Sequence, residues 1–207
     1  FIGQFYVGLL VLWTLLIAFG YIFLKKDIFR LMRIVREPTM LAFATASSES
    51  AYPKTMEALD KFGVPKRITS FVLPLGYSFN LDGSMMYMAF AVLFIAQAYN
   101  IDLSFSQQAL ILFTLMITSK GIAGVSRASI VVIASTLAMF KLPEAGILLI
   151  LAIDQFLDMG RTATNVIGNS IATAVIARTE GNKDELTEQE GIMVNNIPPV
   201  NQLADNS

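Results

Sequence analysis

Residues 1–24 form one apolar block without a charge, closed by Lys25-Lys26. A helix of that length crosses a hydrocarbon core of about 30 Å, so the pattern predicts a transmembrane helix over 1–25. Arg30, Arg33 and Arg36 follow, and this basic cluster marks the cytoplasmic end. Ile28, Leu31, Ile34 and Val35 then recur at helical spacing. The patch Met40-Leu-Ala-Phe43 runs into Thr45-Ala-Ser-Ser-Glu-Ser-Ala-Tyr-Pro53, and a second helical pattern covers 54–61. Neither arm is long enough to span. Residues 27–66 therefore read as a re-entrant hairpin whose Ser-rich tip must be buried in protein or line a wet cavity. Residues 67–101 form the next apolar stretch, in which Ile68 to Ile101 carry a single charge, Asp82, within Ser78-Phe-Asn-Leu-Asp-Gly-Ser84. Asn, Asp and Gly disfavour helix interiors, so a transmembrane helix broken at mid-depth is predicted. Residues 103–140 repeat the hairpin pattern, with arms 103–117 and 128–140 around Thr118-Ser-Lys-Gly-Ile-Ala-Gly-Val-Ser126. Gly121 and Gly124 permit a non-helical tip. An ordinary loop between two spanning helices is the simpler alternative; the shortness of the arms favours a second re-entrant hairpin. A last transmembrane helix is placed at 143–178. Residues 179–207 are polar, mostly acidic and without apolar periodicity, which reads as a disordered cytoplasmic tail.

The last helix poses the chemical question. From Ala145 to Ala177 its only charges are Asp154, Asp158 and Arg161, and each charge at mid-bilayer depth costs roughly 2.5–3.5 kcal/mol. With Asn165 and Asn169 they are spaced 4, 3, 4 and 4 residues apart, which at ~100° per residue confines them to a sector about 80° wide. Thr162 borders it. The other faces carry Ile, Leu, Phe, Val and Ala. Such a stripe faces the protein interior or a water-filled cavity. One reading is structural: Asp158 and Arg161, at i and i+3, pair and glue helices together. Neutral Ser or Thr would do that at lower cost, and two carboxylates with one Arg are more than a closed pair. The other reading is a solute site: Arg offers a bidentate fork to a carboxylate, an Asp accepts from an ammonium group, and the carbonyls of a broken helix suit a hard cation such as Na+.

Composition narrows the class. Of 207 residues 55% are hydrophobic and only 15% charged, and the mean hydropathy of +0.60 belongs to a membrane protein. With neither Cys nor His, disulfides, zinc sites, thiol nucleophiles and His acid–base catalysis are excluded. No basic stripe suggests nucleic acid. The chain opens at Phe1 inside an apolar stretch, which reads as the C-terminal part of a longer chain. The fold expectation is an all-α membrane protein with two re-entrant hairpins and a broken helix.

Four motifs carry a resemblance. Ser78-Phe-Asn-Leu-Asp-Gly-Ser84 resembles the signature of the dicarboxylate/amino acid:cation symporter family, the glutamate transporter family, whose usual form is Asn-Met-Asp-Gly-Thr. Thr45-Ala-Ser-Ser-Glu-Ser50 resembles its first hairpin tip, Ser119-Lys-Gly-Ile-Ala-Gly-Val125 its second, and Asp158-Met-Gly-Arg-Thr-Ala-Thr-Asn165 its last helix. The resemblance implies that the segment forms most of a moving transport domain in an elevator-type mechanism. It also implies a homotrimer built through N-terminal helices that precede it, in a cell membrane with the C-terminus cytoplasmic. Residue by residue, it implies that Arg161 binds the substrate side-chain carboxylate and Asp158 the amino group. Thr162, Asn165, Ser47 and Ser48 would hold the remaining polar atoms, Ser84 would line the pocket and Val125 the gate. The cation set would be Asp82, Asn80, Asn165 and Asn169, with backbone oxygen from Gly76. Asp154 would orient other groups from behind the site. Asn169 stands where sodium-coupled members carry Asp, which alters one sodium site. Met88 stands where animal members carry a Glu linked to proton coupling, and Glu49 is a possible substitute, or simply a solvated tip charge.

The expected function is thus symport of glutamate or aspartate with Na+, H+ or both, without a cofactor and without covalent chemistry. A C4-dicarboxylate symporter of the same fold is the nearest rival; as the family reads, that branch does not keep Asp at position 158. An ion channel would build its pore from symmetric rings rather than two hairpin tips. An intramembrane hydrolase would need Asp154 and Asp158 to share a proton, which Arg161 nearby opposes.

Overall fold

A computed structural model describes the backbone of residues 1–121 and 128–195, and the side chains of 1–120 and 129–181. All regular structure among the described residues is helical. Helix α1, Ile2–Leu24, has 23 residues. Among the described residues, two helical stretches are long and apolar enough to cross a membrane, α1 and Lys66–Ala98.

The first hairpin pairs α2, Asp27–Thr45, with α3, Ser48–Phe62. The connection is only Ala46 and Ser47. Ala46 takes a left-handed φ of 49°, and the Ser47 hydroxyl caps α3 by accepting from Ser50 N at 3.3 Å. The second arm therefore starts six residues before the 54–61 pattern suggested: Ser47 is a favoured N-cap and Glu49 in the first turn suits the helix dipole. Helix α2 has 19 residues, but Asp27, Arg30, Arg33, Arg36 and Glu37 leave its apolar part short.

The expected break divides α4, Lys66–Phe79, from α5, Asp82–Ala98. Helix α4 ends on Asn80 N donating to Gly76 O at 2.7 Å, and α5 restarts with Met85 N donating to Leu81 O at 2.8 Å. The second hairpin pairs α6, Phe105–Thr118, with α7, Ala128–Met139. Helix α6 opens on a capping box between Ser104 and Gln107 and ends in a 3-10 turn, Ser119–Gly121. Residues 122–127, including Val125, lie outside the described residues.

The segment after Pro143 departs from the single helix expected. A 3-10 turn, Glu144–Gly146, leads into α8, Ile147–Leu151, and α9, Asp154–Asn195. Between α8 and α9 the backbone tightens to a three-residue bond, Ile153 N to Ile150 O. The backbone also stays helical to Asn195, through much of the stretch read as a disordered tail. Glu, Lys, Gln and Leu there are good helix formers, and extending an existing helix is far easier than nucleating one. Residues 196–207 lie outside the described residues.

Helix α9 is the hub. It touches α1, α2, α3, α4, α5 and α8, and from Gly160 to Ile171 every residue is buried. Two apolar cores grip it. One gathers Phe5, Leu9, Tyr87, Val92, Ile111, Ile133 and Leu157. The other gathers Leu31, Val35, Leu59, Leu73, Ile167 and Ile171. Asp158, Arg161 and Asn165 lie on the turns between Leu157 and Ile167, where α9 passes from one core to the other.

Close approach fixes this junction. A Cβ on Gly83 would run into the backbone oxygen of Arg161, and one on Gly168 into the Asp82 carboxylate. Small residues let helix backbones meet inside a membrane. Gly83→Ala should therefore push α5 off α9 and cost about 1–3 kcal/mol. In the full-length protein this should appear as a lowered melting temperature, whereas Gly3→Ala, with nothing within 4 Å, should not lower it. Equal melting of the two variants would contradict the packing described.

Candidate functional site

The stripe is assembled as its spacing required, and the structure supplies its partners. Arg161, 6% exposed, donates from Nε to Asp158 Oδ1 at 2.7 Å and from Nη1 to Ser129 Oγ. Its guanidinium lies over the Tyr87 ring, 5.0 Å from the centroid, a cation–π arrangement that needs a planar cation near a ring face. Thr162 Oγ1 donates to Asp158 Oδ1 at 3.0 Å. Asp158 thus accepts two bonds on one oxygen. The Asp158–Arg161 pair belongs to one helix, so it cannot glue two helices together. The link between elements runs through Ser129, near the start of α7.

Asp154, 1% exposed, accepts from Tyr87 Oη at 2.6 Å. The same tyrosine thereby holds the Asp154 carboxylate with its hydroxyl and the Arg161 guanidinium with its face.

One turn further on, α9 meets the broken helix. Asn165 Oδ1 accepts from Gly83 N at 2.8 Å and Ser84 N at 3.3 Å, while its Nδ2 donates to Ser84 Oγ at 3.0 Å. Those two N–H groups open α5 and have no acceptor within the helix. Asn165 supplies it from another element.

Around the break, Asn80 and Asn169 lie 3.2 Å apart through their amides. Turning the Asn80 amide over brings its nitrogen 3.0 and 3.2 Å from the Asp82 carboxylate oxygens. Turning Asn169 over as well gives a partner to its Nδ2, which otherwise has none. The satisfied arrangement is therefore a relay, Asn169 to Asn80 to Asp82. Gly76 lies directly against the Asn169 amide. The cluster offers one carboxylate, two amides and the carbonyls at the end of α4. Its oxygens form a donor set suited to a hard cation. No group of three or more His, Cys, Asp or Glu residues capable of holding a metal occurs among the described residues.

The remaining expected residues lie apart from this network. Ser47 bonds within the first hairpin tip, donating to Glu49 Oε2 at 3.0 Å, and Ser48 begins α3. The tip reaches α9 through apolar contact, Ala42 and Ala51 packing on Val166. Val125 is outside the described residues. Three residues were missed by sequence reading. Tyr87 was readable as a buried hydroxyl in need of a partner. Ser129 sits on a hairpin arm, where attention went to the tip. Trp13 donates to Thr164 Oγ1 at 2.7 Å, a pairing across the chain that no local pattern announces.

The sodium:dicarboxylate symporter family model matches residues 1–179. The chain is 52% identical over 159 residues to the proton/sodium-glutamate symport protein of Bacillus caldotenax, covering 77% of this chain and 38% of that protein. It is 51% identical over 150 residues to the proton/glutamate-aspartate symporter of Escherichia coli strain K12, covering 72% and 34%. It is 43% identical over 185 residues to C4-dicarboxylate transport protein 1 of Mesorhizobium japonicum, covering 86% and 39%. The chain thus spans about two fifths of the length of the curated relatives it matches.

The Asn165 junction is directly testable. Asn165→Leu keeps the branched shape, though not the volume, and strands two buried N–H groups, at about 1–3 kcal/mol each. Hydrogen exchange at the Gly83 and Ser84 amides should accelerate, and the protein should melt lower. Asn165→Asp retains the acceptor and should slow that exchange again. Unchanged exchange in the Leu variant would refute the junction.

Proposed function

The chain belongs to the sodium:dicarboxylate symporter family, and from that premise we propose that the full-length protein is a secondary transporter of acidic amino acids. It carries glutamate or aspartate across a cell membrane together with Na+, H+ or both. The observation that carries this reading is the buried Arg161 guanidinium, held side-on by Asp158, Ser129 and Tyr87. Two of its N–H groups are used there, out of five.

A zwitterionic acidic solute exchanges partners within this network. Its side-chain carboxylate takes the guanidinium fork, and its ammonium takes Asp158. Ser84, Thr162 and Asn165 hold the other polar atoms, with Ser47, Ser48 and Val125 contributed by the two hairpin tips. Asp158 and Arg161 offset each other, so glutamate brings an uncompensated negative charge into a dehydrated site. Moving that charge through a low-dielectric region is costly, and a co-transported cation removes the cost. The Asp82, Asn80 and Asn169 cluster, with Asn165 and the Gly76 carbonyl nearby, is the place for it. Glu49 is the candidate proton carrier at the first hairpin tip. Asp154 acts through Tyr87 on the position of Arg161. The second hairpin serves as the outer gate, and the described helices move as a unit within a homotrimer built through N-terminal helices. The basic residues at 25–36 support a cytoplasmic position for that end, and the C-terminus is read on the same side. No bond of the solute is made or broken, so the protein is not an enzyme.

C4-dicarboxylate symport is the second reading, since a relative of that description matches over most of the chain. Asp158 separates the two. Beside a succinate-type solute it is repelled and loses its cationic partner. A charged hydrogen bond lost with its partner left buried costs on the order of 2–5 kcal/mol, about thirtyfold or more in affinity.

Counterflow in proteoliposomes holding the full-length protein, with labelled glutamate, aspartate and succinate, is the deciding measurement. The amino acids should exchange and succinate should not. Arg161→Ala should abolish glutamate uptake, and Arg161→Lys should recover little, because it lacks the planar fork. Asp158→Ser should lose amino-acid exchange and gain weak dicarboxylate binding. Equal exchange of succinate and glutamate by the natural protein would establish the dicarboxylate reading instead.

A further inference from the structure

Lys120 has no part in the network above, yet its placement is specific. It sits in the 3-10 turn that ends the first arm of the second hairpin. Its Nζ donates to the Phe79 carbonyl at 2.6 Å. Phe79 is the last residue of α4. The final bond within that helix runs from Asn80 N to Gly76 O, so the carbonyls of Tyr77, Ser78 and Phe79 have no donor further along the helix. They also form the negative end of the α4 dipole. Freed carbonyls of a broken helix, next to a carboxylate, are what a hard cation seeks in a transporter. Here a covalently attached cation already sits on one of them.

We propose that the Lys120 ammonium is a built-in cation at the break between α4 and α5, holding the Phe79 carbonyl that a co-transported Na+ would otherwise coordinate. This rests on the reading of the site as a cation-coupled one. Three observations support it. The turn that carries Lys120 is seated against the start of α5, with Ser119 Oγ 3.7 Å from Met85 Sδ, so the ammonium is delivered by a located element. Asp82, the carboxylate of the Asn80, Asp82 and Asn169 cluster, opens α5 three residues beyond Phe79, on the far side of the same break. Finally, Asn169 is neutral, so the cluster carries less negative charge with which to recruit a second mobile ion. Because Lys120 belongs to the gate hairpin and Phe79 to the broken helix, the same bond ties that hairpin to the break without an added ion.

The test is Na+ binding itself, which needs no solute. Full-length protein is melted across a Na+ series at constant ionic strength in choline chloride, for the natural protein, Lys120→Met, Lys120→Gln and Lys120→Arg. The neutral variants should melt lower in choline and be rescued by Na+, with a half-saturating concentration about tenfold below that of the natural protein. They should also retain one more 22Na+ per chain in equilibrium dialysis. Lys120→Arg keeps the charge and should keep the natural response. A shift under threefold in the neutral variants overturns the proposal, as does sensitisation of the Arg variant to the same degree. Neutral variants that stay unfolded at every Na+ concentration also overturn it, since the lysine would then be a structural tie alone. Failure of the glutamate reading would show separately, as absent glutamate counterflow with the Na+ response intact.

Discussion

A helix broken inside an apolar interior leaves backbone donors on one side and acceptors on the other, and the protein is arranged around meeting both. Asn165 accepts from Gly83 and Ser84 at the start of α5, and Lys120 donates to Phe79 at the end of α4. A buried backbone group without a partner costs about 1–3 kcal/mol, which the buried Gly83 and Ser84 donors would incur without Asn165; the Lys120–Phe79 bond lies at the exposed end of α4. The requirement brings α9 against the break at van der Waals distance. Only glycine fits at 83 and 168, where a Cβ would strike Arg161 or Asp82.

That contact sets the rest of the architecture. With α9 at the centre, its polar face looks at the break, and its apolar faces are taken up by α1, the two arms of the first hairpin, α4 and α5. The two apolar cores on either side of the polar tier hold it in place. Close-packed interiors resist continuous deformation, so the tier keeps its geometry if the helices move together. The hairpins meet it differently. The first arrives through small apolar residues, Ala42 and Ala51 on Val166. The second arrives through polar bonds, Ser129 with Arg161 and Lys120 with Phe79. Polar bonds can be exchanged for bonds to a solute or an ion, whereas an alanine contact can only open or close. This difference supports the proposal that the second hairpin serves as the gate.

Much of this was legible in the chain. The 4, 3, 4, 4 spacing from Asp154 to Asn169 is a property of the sequence, and helical geometry alone places those residues on one face. Asn80, Asp82 and Gly83 mark the break because each disfavours a helix interior. The uncharged block at 1–24 marks a helix long and apolar enough to span, and the basic residues after it are the basis of the proposed orientation. Local rules suffice in these cases because each is decided by neighbours a few residues away. The helical extension to Asn195 was misread because apolar periodicity reports packing, not helicity.

Partnership across the chain was decided only by the tertiary structure. Tyr87 meets Asp154 across 67 positions and Gly83 meets Asn165 across 82. Nothing in the spacing says whether Asp158 closes on its own helix or on another, nor that Arg161 reaches Ser129. Nor does it say that a lysine in a glycine-rich tip segment finds the end of a helix 41 residues earlier. The chain by itself determined which groups would be stranded in an apolar medium. Three-dimensional packing chose the partners, because a hydrogen bond depends on a few tenths of an ångström and on direction, and both are set by the fold as a whole.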